Sequence, residues 1–197
     1  MNLVRRHPWI LGATGLYVAG FTLAGALLRN PRAPLYGAVM VAGFPVVAAA
    51  DCRVHFGPGV LAGLSVWGLL HMAGGLLPGL APGDGILYDS WIVRPVVRVD
   101  QAVHAVGYAV TTTACLAVLR ARDPQGPAPV LTAVLMGAGL GAVNEVVEFL
   151  ATRAFAGLRI GGFENMGWDL VFNLLGAGAA ALWLWVPAER MERAGAA

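Results

Sequence analysis

Residues 9–28 read WILGATGLYVAGFTLAGALL, a run of twenty residues without a charged side chain. At the rise of an α-helix, about 1.5 Å per residue, this run is about 30 Å long, which matches the hydrocarbon layer of a bilayer. The preceding residues, MNLVRRHP, have the basic character of a signal-peptide start. The apolar run is too long for a signal peptide, so the pattern predicts an uncleaved transmembrane helix.

The composition of the whole chain agrees with a membrane protein. Of its 197 residues, 58% are hydrophobic and 12% are charged, and the mean hydropathy is +0.70, which excludes an ordinary water-soluble globule. All thirteen basic side chains are arginines and the net charge is only +2, too small for a nucleic-acid-binding surface. Cys52 and Cys115 lack the CxxC spacing of a thiolate zinc site. We therefore expect membrane lipids, and no nucleic acid, as partners.

Six apolar segments are long enough, or nearly long enough, to cross the membrane. They cover residues 9–28, 35–50, 58–77, 99–119, 130–150 and 168–186. The second segment is the weakest, because it has sixteen residues and contains Pro45. Residues 1–197 are thus predicted to form a single transmembrane domain of an all-α integral membrane protein. The architecture expected is a bundle of six transmembrane helices with a long connector between helices 3 and 4.

The connector from Pro78 to Arg98 is longer than the other turns of the chain. Connectors of about twenty residues are usually functional. Tyr88 and Trp91 suit the headgroup layer of the membrane. Asp84 and Asp89 have two interpretations, as residues that form turns or as parts of a lid over a site.

Six spans place both chain ends on the same side of the membrane. Counted by side, the arginines divide seven to six, so the basic N-terminus is what favours an orientation. We expect a multi-pass protein of the inner (cytoplasmic) membrane with both termini in the cytoplasm.

Polar residues inside the spans are the candidates for function, because an ionisable group at mid-bilayer costs about 2.5 to 3.5 kcal/mol. Three pairs have the i, i+3 or i, i+4 spacing that places two side chains on one helix face. The candidate residues are His71 in the third span, Asp100 and His104 in the fourth, Glu145 and Glu148 in the fifth, and Asp169 and Asn173 in the sixth.

The direction of each span predicts that these residues meet at one membrane face. The third and fifth spans carry them near their ends, whereas the fourth and sixth, which run the opposite way, carry them near their starts. Seven of the eleven acidic residues are expected at or near this face: Asp84, Asp89, Asp100, Glu145, Glu148, Glu164 and Asp169. With cytoplasmic termini, the resulting pocket opens outward.

Carboxylates that share a low-dielectric pocket need compensation, because like charges raise each other's pKa. One solution is a divalent metal ion with Asp100, His104, Glu145, Glu148 and His71 as candidate ligands. A second is general acid and base chemistry, with Asp169, Glu148 and Asn173 as candidate catalytic residues. A third is ion pairing that only holds the bundle together, with Arg94, Arg98, Arg153 or Arg159 as the cations.

Each candidate also has a purely structural interpretation. Asp100 and Asp169 suit the N-terminal ends of helices, where a negative charge is favourable. Glu145 and Glu148 suit a helix end that emerges into the headgroups. His71 suits a packing position beside Trp67.

The spacing and order of these motifs resemble the YjdF-type bacterial inner-membrane proteins and, more distantly, the VanZ-like family. The residues that carry the resemblance are Asp100, His104, Glu145, Glu148, Trp168, Asp169, Asn173, Gly176 and Ala177. The resemblance covers about residues 99–180 and implies a multi-pass protein of the inner membrane. The VanZ-like family is associated with glycopeptide resistance. After the glutamate, that family usually has a Gln and a Pro-Gly-Arg turn, whereas this chain has Phe149-Leu150 and residues 161–165. We therefore do not assign glycopeptide resistance to this protein.

Three hypotheses for function follow. The first is a metal-dependent hydrolase or transferase that acts on a lipid or lipid-linked headgroup. The second is a small transporter or cation-binding protein. The third is a non-enzymatic accessory subunit of a larger membrane complex or a homo-oligomer, with small-residue faces such as Gly59-x-x-x-Gly63 and Gly137-x-Gly139-x-Gly141 as contacts.

Overall fold

The computed structural model describes residues 3–83, 85–123, 129–155 and 162–195, with side chains described as far as residue 184. Asp84 and Arg159, both named above, lie outside the described residues.

Long helices dominate the described part of the chain. They are α2 (Pro8–Leu27), α3 (Ala33–Val54), α4 (Pro58–Leu76), α5 (Val99–Arg122), α6 (Val130–Ala154) and α7 (Phe163–Gly195), preceded by the short α1 (Leu3–Arg6). All six are long and apolar enough to cross a membrane, α7 with the segment Phe163–Leu184. The predicted all-α membrane protein with six transmembrane helices is confirmed.

Several helices extend beyond their predicted ends, and two of these extensions matter for the site or the fold. α3 continues through Pro45 and ends at Val54, where His55 takes a left-handed conformation with φ of 53°. A proline is tolerated in a transmembrane helix, where neighbouring groups satisfy the freed backbone. α7 begins at Phe163 and not at residue 168. The additional first turn of α7 brings Asn165 into the helix.

The connector between α4 and α5 is folded. It contains a 3-10 turn (Leu87–Asp89) and an antiparallel ribbon of two strands, β1 (Trp91–Val93) and β2 (Val97–Arg98). Ser90 is completely buried and its hydroxyl accepts a hydrogen bond of 2.8 Å from the backbone N–H of Leu80. The expected long loop is therefore a small cap that packs on α4 and α5.

α5 is the central helix, and its most extensive contact is with α7. Small residues permit this contact, because a Cβ at Gly176 would overlap the backbone carbonyl of Ala105. In the small-residue faces predicted above, Gly63, Gly137 and Gly141 contact other helices, whereas a Cβ at Gly59 or Gly139 would meet open space. Close approach of backbones at small residues is the usual basis of helix packing in lipid.

The end of the bundle away from the cap has a buried ion pair. Arg6, at the end of α1, pairs with Asp51 of α3, and the backbone N–H of Phe56 donates a hydrogen bond of 2.9 Å to the same carboxylate. Asp51 is 1% exposed. The pair ties α1 to the end of α3.

Candidate functional site

The ionisable residues of α5, α6 and α7 lie together at one end of the bundle. α5 carries its pair in its first turns, α6 carries its pair in its last turns, and α7 again carries its pair near its start. Because α6 runs opposite to α5 and α7, the three pairs reach the same membrane face. The structure thus contains the buried cluster that the span directions predicted.

His104 is at the centre of the cluster. Its Nδ1 lies 3.0 Å from Oδ1 of Asn173 and 3.4 Å from Oε1 of Glu145. Its Nε2 lies 3.5 Å from Oδ1 of Asp100, one turn earlier on the same helix. The imidazole therefore links α5, α6 and α7.

Two overlapping groups of side chains have the geometry to hold a metal ion. One consists of Asp100, His104 and Asp169, and the other of His104, Glu145 and Glu148. Within each group, one ligand atom from every residue lies within 4.8 Å of the others. Carboxylate oxygens and an imidazole nitrogen suit a divalent metal ion.

Two asparagines outside the predicted site residues hold the carboxylates in place. Asn165 donates through Nδ2 to Oδ2 of Asp100 at 3.0 Å and also to Oδ2 of Asp169. Asn144 donates through Nδ2 to Oε1 of Glu148 at 2.8 Å. Asn165 precedes Asp169 by four residues, so the spacing rule used above would have found it had the helix been predicted to start at Phe163.

Several polar atoms of the cluster are buried without a partner among the described residues. They are Oε2 of Glu145, Oδ1 of Asp169 and Nδ2 of Asn173. The three residues are 4%, 0% and 1% exposed. A buried polar group without a hydrogen bond costs about 1 to 3 kcal/mol. Two unpaired carboxylate oxygens and one unpaired N–H donor together suit a cation that carries an oxygen ligand.

His71 lies outside both of these groups. Its Nδ1 is 2.8 Å from the hydroxyl of Tyr88, and its ring stacks on Tyr36 with centroids 4.7 Å apart. Burial raises the pKa of Tyr88 well above its ordinary value, so this phenol keeps its proton at neutral pH. His71 shares a narrow cleft with Glu148. Its predicted role as a metal ligand remains a prediction, and its observed contacts are aromatic.

The arginine nearest to the cluster in sequence, Arg98, places its guanidinium group 4.6 Å from the centroid of the Trp91 ring. The ion pairs that the structure gives Asp100 and Glu145 are with His104. In the described part of the structure, the contact of Arg98 is thus with the Trp91 ring.

Comparison with known proteins places the chain in a family. A family model described as a predicted membrane protein (DUF2238) matches residues 10–190. Searches against curated proteins and against solved structures returned no match. The family is compatible with the YjdF-type resemblance, whereas the likeness to the VanZ-like family remains a prediction. The match extends over nearly all of the chain, and the protein therefore belongs to the DUF2238 family of predicted membrane proteins.

Proposed function

We propose that this protein binds a divalent metal ion in the cluster around His104 and uses it to hydrolyse or transfer a lipid or lipid-linked headgroup. The observation that carries the proposal is the set of unpartnered, fully buried polar atoms on Glu145, Asp169 and Asn173 beside that histidine. Such atoms are satisfied by a ligand that is both cationic and oxygen-bearing.

The proposed ligands are Glu145 and Glu148 on the Nδ1 side of His104 and Asp100 on its Nε2 side, so the ion binds at one of the two sides of the imidazole ring. A bound divalent ion would polarise a phosphoryl or carbonyl group and activate a water molecule. Asp169 and Glu148 are the candidate general bases. Nδ2 of Asn173 has no hydrogen-bond partner among the described residues, which suits an oxygen atom of the substrate.

The depth of the cluster supports a headgroup substrate. Asp100 is the second residue of α5, and Asp169 lies in the second turn of α7. At about 1.5 Å per residue these positions are within about 10 Å of the helix ends. A polar group at this depth is next to the headgroup layer, where phosphate and ester groups of lipids are found.

For location we propose the inner membrane with both termini in the cytoplasm, as the basic N-terminus favours. The cluster then faces away from the cytoplasm, and its substrate is a lipid of the outer leaflet. Two alternatives remain with their own expected results: a cation-binding or transport protein, and an accessory subunit in a larger membrane complex or homo-oligomer.

Metal analysis tests the proposal directly. Protein purified without chelators is analysed for metal as wild type and as the double variant Glu145→Gln with Glu148→Gln. We expect about one divalent ion per chain in the wild type and loss of the ion in the double variant. Glu164→Gln is the matched control, because Glu164 is an exposed carboxylate at the same end of the bundle.

The remaining outcomes separate the alternatives. Absence of metal from the wild type contradicts the proposal. The transport alternative is supported by three results together. The protein contains metal, it turns over no lipid in a panel of phospholipids and lipid-linked substrates, and it gives ion flux in liposomes. Stable copurification with fixed protein partners, combined with full tolerance of the double variant, supports the accessory subunit.

A further inference from the structure

A cavity of about 240 Å³ lies among α2, α3 and α4, apart from the cluster around His104. On α4 its lining extends from Leu61 to His71, which corresponds to about 15 Å along the helix at about 1.5 Å per residue. This length is about half of the hydrocarbon layer, and its long axis follows the helices. The cavity thus has about the length and the direction of one acyl chain, and it reaches from Leu61, near the start of α4, past the middle of that helix.

The three hydroxyl groups in its wall already have hydrogen-bond partners in the protein. The hydroxyls of Thr14 and Ser65 are 2.6 Å apart, and Thr14 also donates to the backbone carbonyl of Ile10 at 2.7 Å. The hydroxyl of Tyr17 donates to the backbone carbonyl of Ser65 at 2.8 Å. The remaining wall is mostly apolar, with residues such as Met40 and Leu64. An apolar wall of this kind does not hold water well.

The end of the cavity nearest to the cluster is formed by His71 and Asn144. The same two residues line the narrow cleft that contains Glu148. Asn144 donates to Oε1 of Glu148 at 2.8 Å and faces Oε1 of Glu145 at 3.5 Å. An occupant of the cavity would therefore present one end beside two of the proposed metal ligands.

We propose that this cavity holds one acyl chain of a membrane phospholipid and thereby positions its headgroup at the cluster, an inference that rests on the proposed function. The apolar wall, the length of about 15 Å and the location inside the membrane-spanning part favour an acyl chain over a polar solute. Empty apolar volume also destabilises a packed interior, so occupation by a chain is favourable.

Gly43 provides a specific way to fill the cavity. It lines the cavity, and a Cβ at this position meets no atom within 4 Å. Gly43→Leu should therefore occupy the space of the chain without displacing the wall, and Gly43→Ala should do so partially. Gly139→Leu is the matched control, because a Cβ at Gly139 also meets open space and Gly139 lines no part of this cavity.

The test is native mass spectrometry of the purified protein after incubation with dilauroyl phosphatidylglycerol, together with metal analysis of each sample. We expect about one lipid per wild-type chain, at least a tenfold loss in Gly43→Leu, an intermediate loss in Gly43→Ala and no change in Gly139→Leu. Metal content should be equal in all four proteins. Equal lipid retention by Gly43→Leu and wild type overturns the proposal, as does a wild type that retains no lipid.

The two readouts separate this inference from the proposed function. Lipid that is lost in Gly43→Leu from a protein without metal supports a chain-binding cavity and contradicts the metal site. A protein that contains metal but retains no lipid supports the metal site and contradicts the chain-binding cavity. If Gly43→Leu does not fold, Gly43→Ala replaces it. Gly43→Ala must then retain less lipid than both the wild type and Gly139→Ala.

Discussion

His104 connects the cluster because both of its ring nitrogens face oxygen atoms. A neutral imidazole has one N–H donor and one bare nitrogen, so it cannot donate on both sides. A metal ion at one of the two ring nitrogens would satisfy the arrangement. At the residue scale, therefore, the geometry of His104 and the unpartnered oxygens of Glu145 and Asp169 both favour a bound metal ion in the cluster.

Asn165 should control metal affinity without being a ligand. Its side chain donates to both Asp100 and Asp169, and loss of such supporting hydrogen bonds typically lowers metal affinity about 10- to 100-fold. We expect Asn165→Ala to weaken metal binding within this range while the protein remains folded. Isothermal titration calorimetry, with the metal ion titrated into the metal-free protein, measures the change in affinity.

The control for this prediction is Asn30→Ala. Asn30 is also half-buried, and its side chain accepts a hydrogen bond from the backbone N–H of Arg32 away from the cluster. Equal affinities for the two variants would show that Asn165 does not support the site.

At the scale of elements, the contact between α5 and α7 determines where the cluster forms. Gly176 packs against the backbone of Ala105, the residue that follows His104. Asn173 lies three residues before Gly176 on α7, and its side chain packs against Gly141 of α6. These small residues let three helices approach closely enough for His104 to contact residues of the other two.

Gly176→Ala should destabilise the protein, because its Cβ would overlap the carbonyl oxygen of Ala105. Overpacking of this kind costs about 1 to 3 kcal/mol. We expect a lower Tm in detergent and weaker metal binding, since α5 must shift. Gly178→Ala is the matched control two residues away, where a Cβ meets no atom within 4 Å. A Tm for Gly176→Ala equal to that of Gly178→Ala would contradict the proposed close contact.

At the scale of the whole molecule, the direction of the spans was enough to predict that the pairs on three of the helices meet, but not the contacts of His71. Length and hydropathy identify six helices, and alternation of their directions then places the pairs of α5, α6 and α7 at one face. Features that depend on chain geometry outside the apolar runs were not predictable in this way. Asn165 lies before the apolar part of α7, and the partner of Asp51 comes from α1, which is too short to have a recognisable pattern.

The cavity was also beyond prediction from the sequence. Its walls are ordinary apolar residues of three spans, and its volume depends on how α2, α3 and α4 are spaced. His71 illustrates the same limit, because its position within α4 did not distinguish a ligand from a residue that contacts Tyr36 and Tyr88.

Orientation in the membrane is testable with the natural cysteines. Cys52 is exposed near the end of α3, and Cys115 is buried in α5. With cytoplasmic termini, a membrane-impermeant maleimide should label Cys52 in inside-out vesicles and not in intact spheroplasts. Asp89→Cys, at an exposed position in the cap at the other face, should show the reverse pattern in a Cys52→Ser background. Labelling of Cys52 from the outside would contradict cytoplasmic termini.

The ion pair between Arg6 and Asp51 has a consequence for permeability. Leu3 and His7, on either side of Arg6, line the end of the cavity that is farthest from the cluster. The internal space of the bundle therefore ends beside two charges that neutralise each other. Together with the apolar wall, this arrangement should keep protons and ions from crossing. A cell could then hold many copies of the protein in an energised membrane without dissipating its proton gradient.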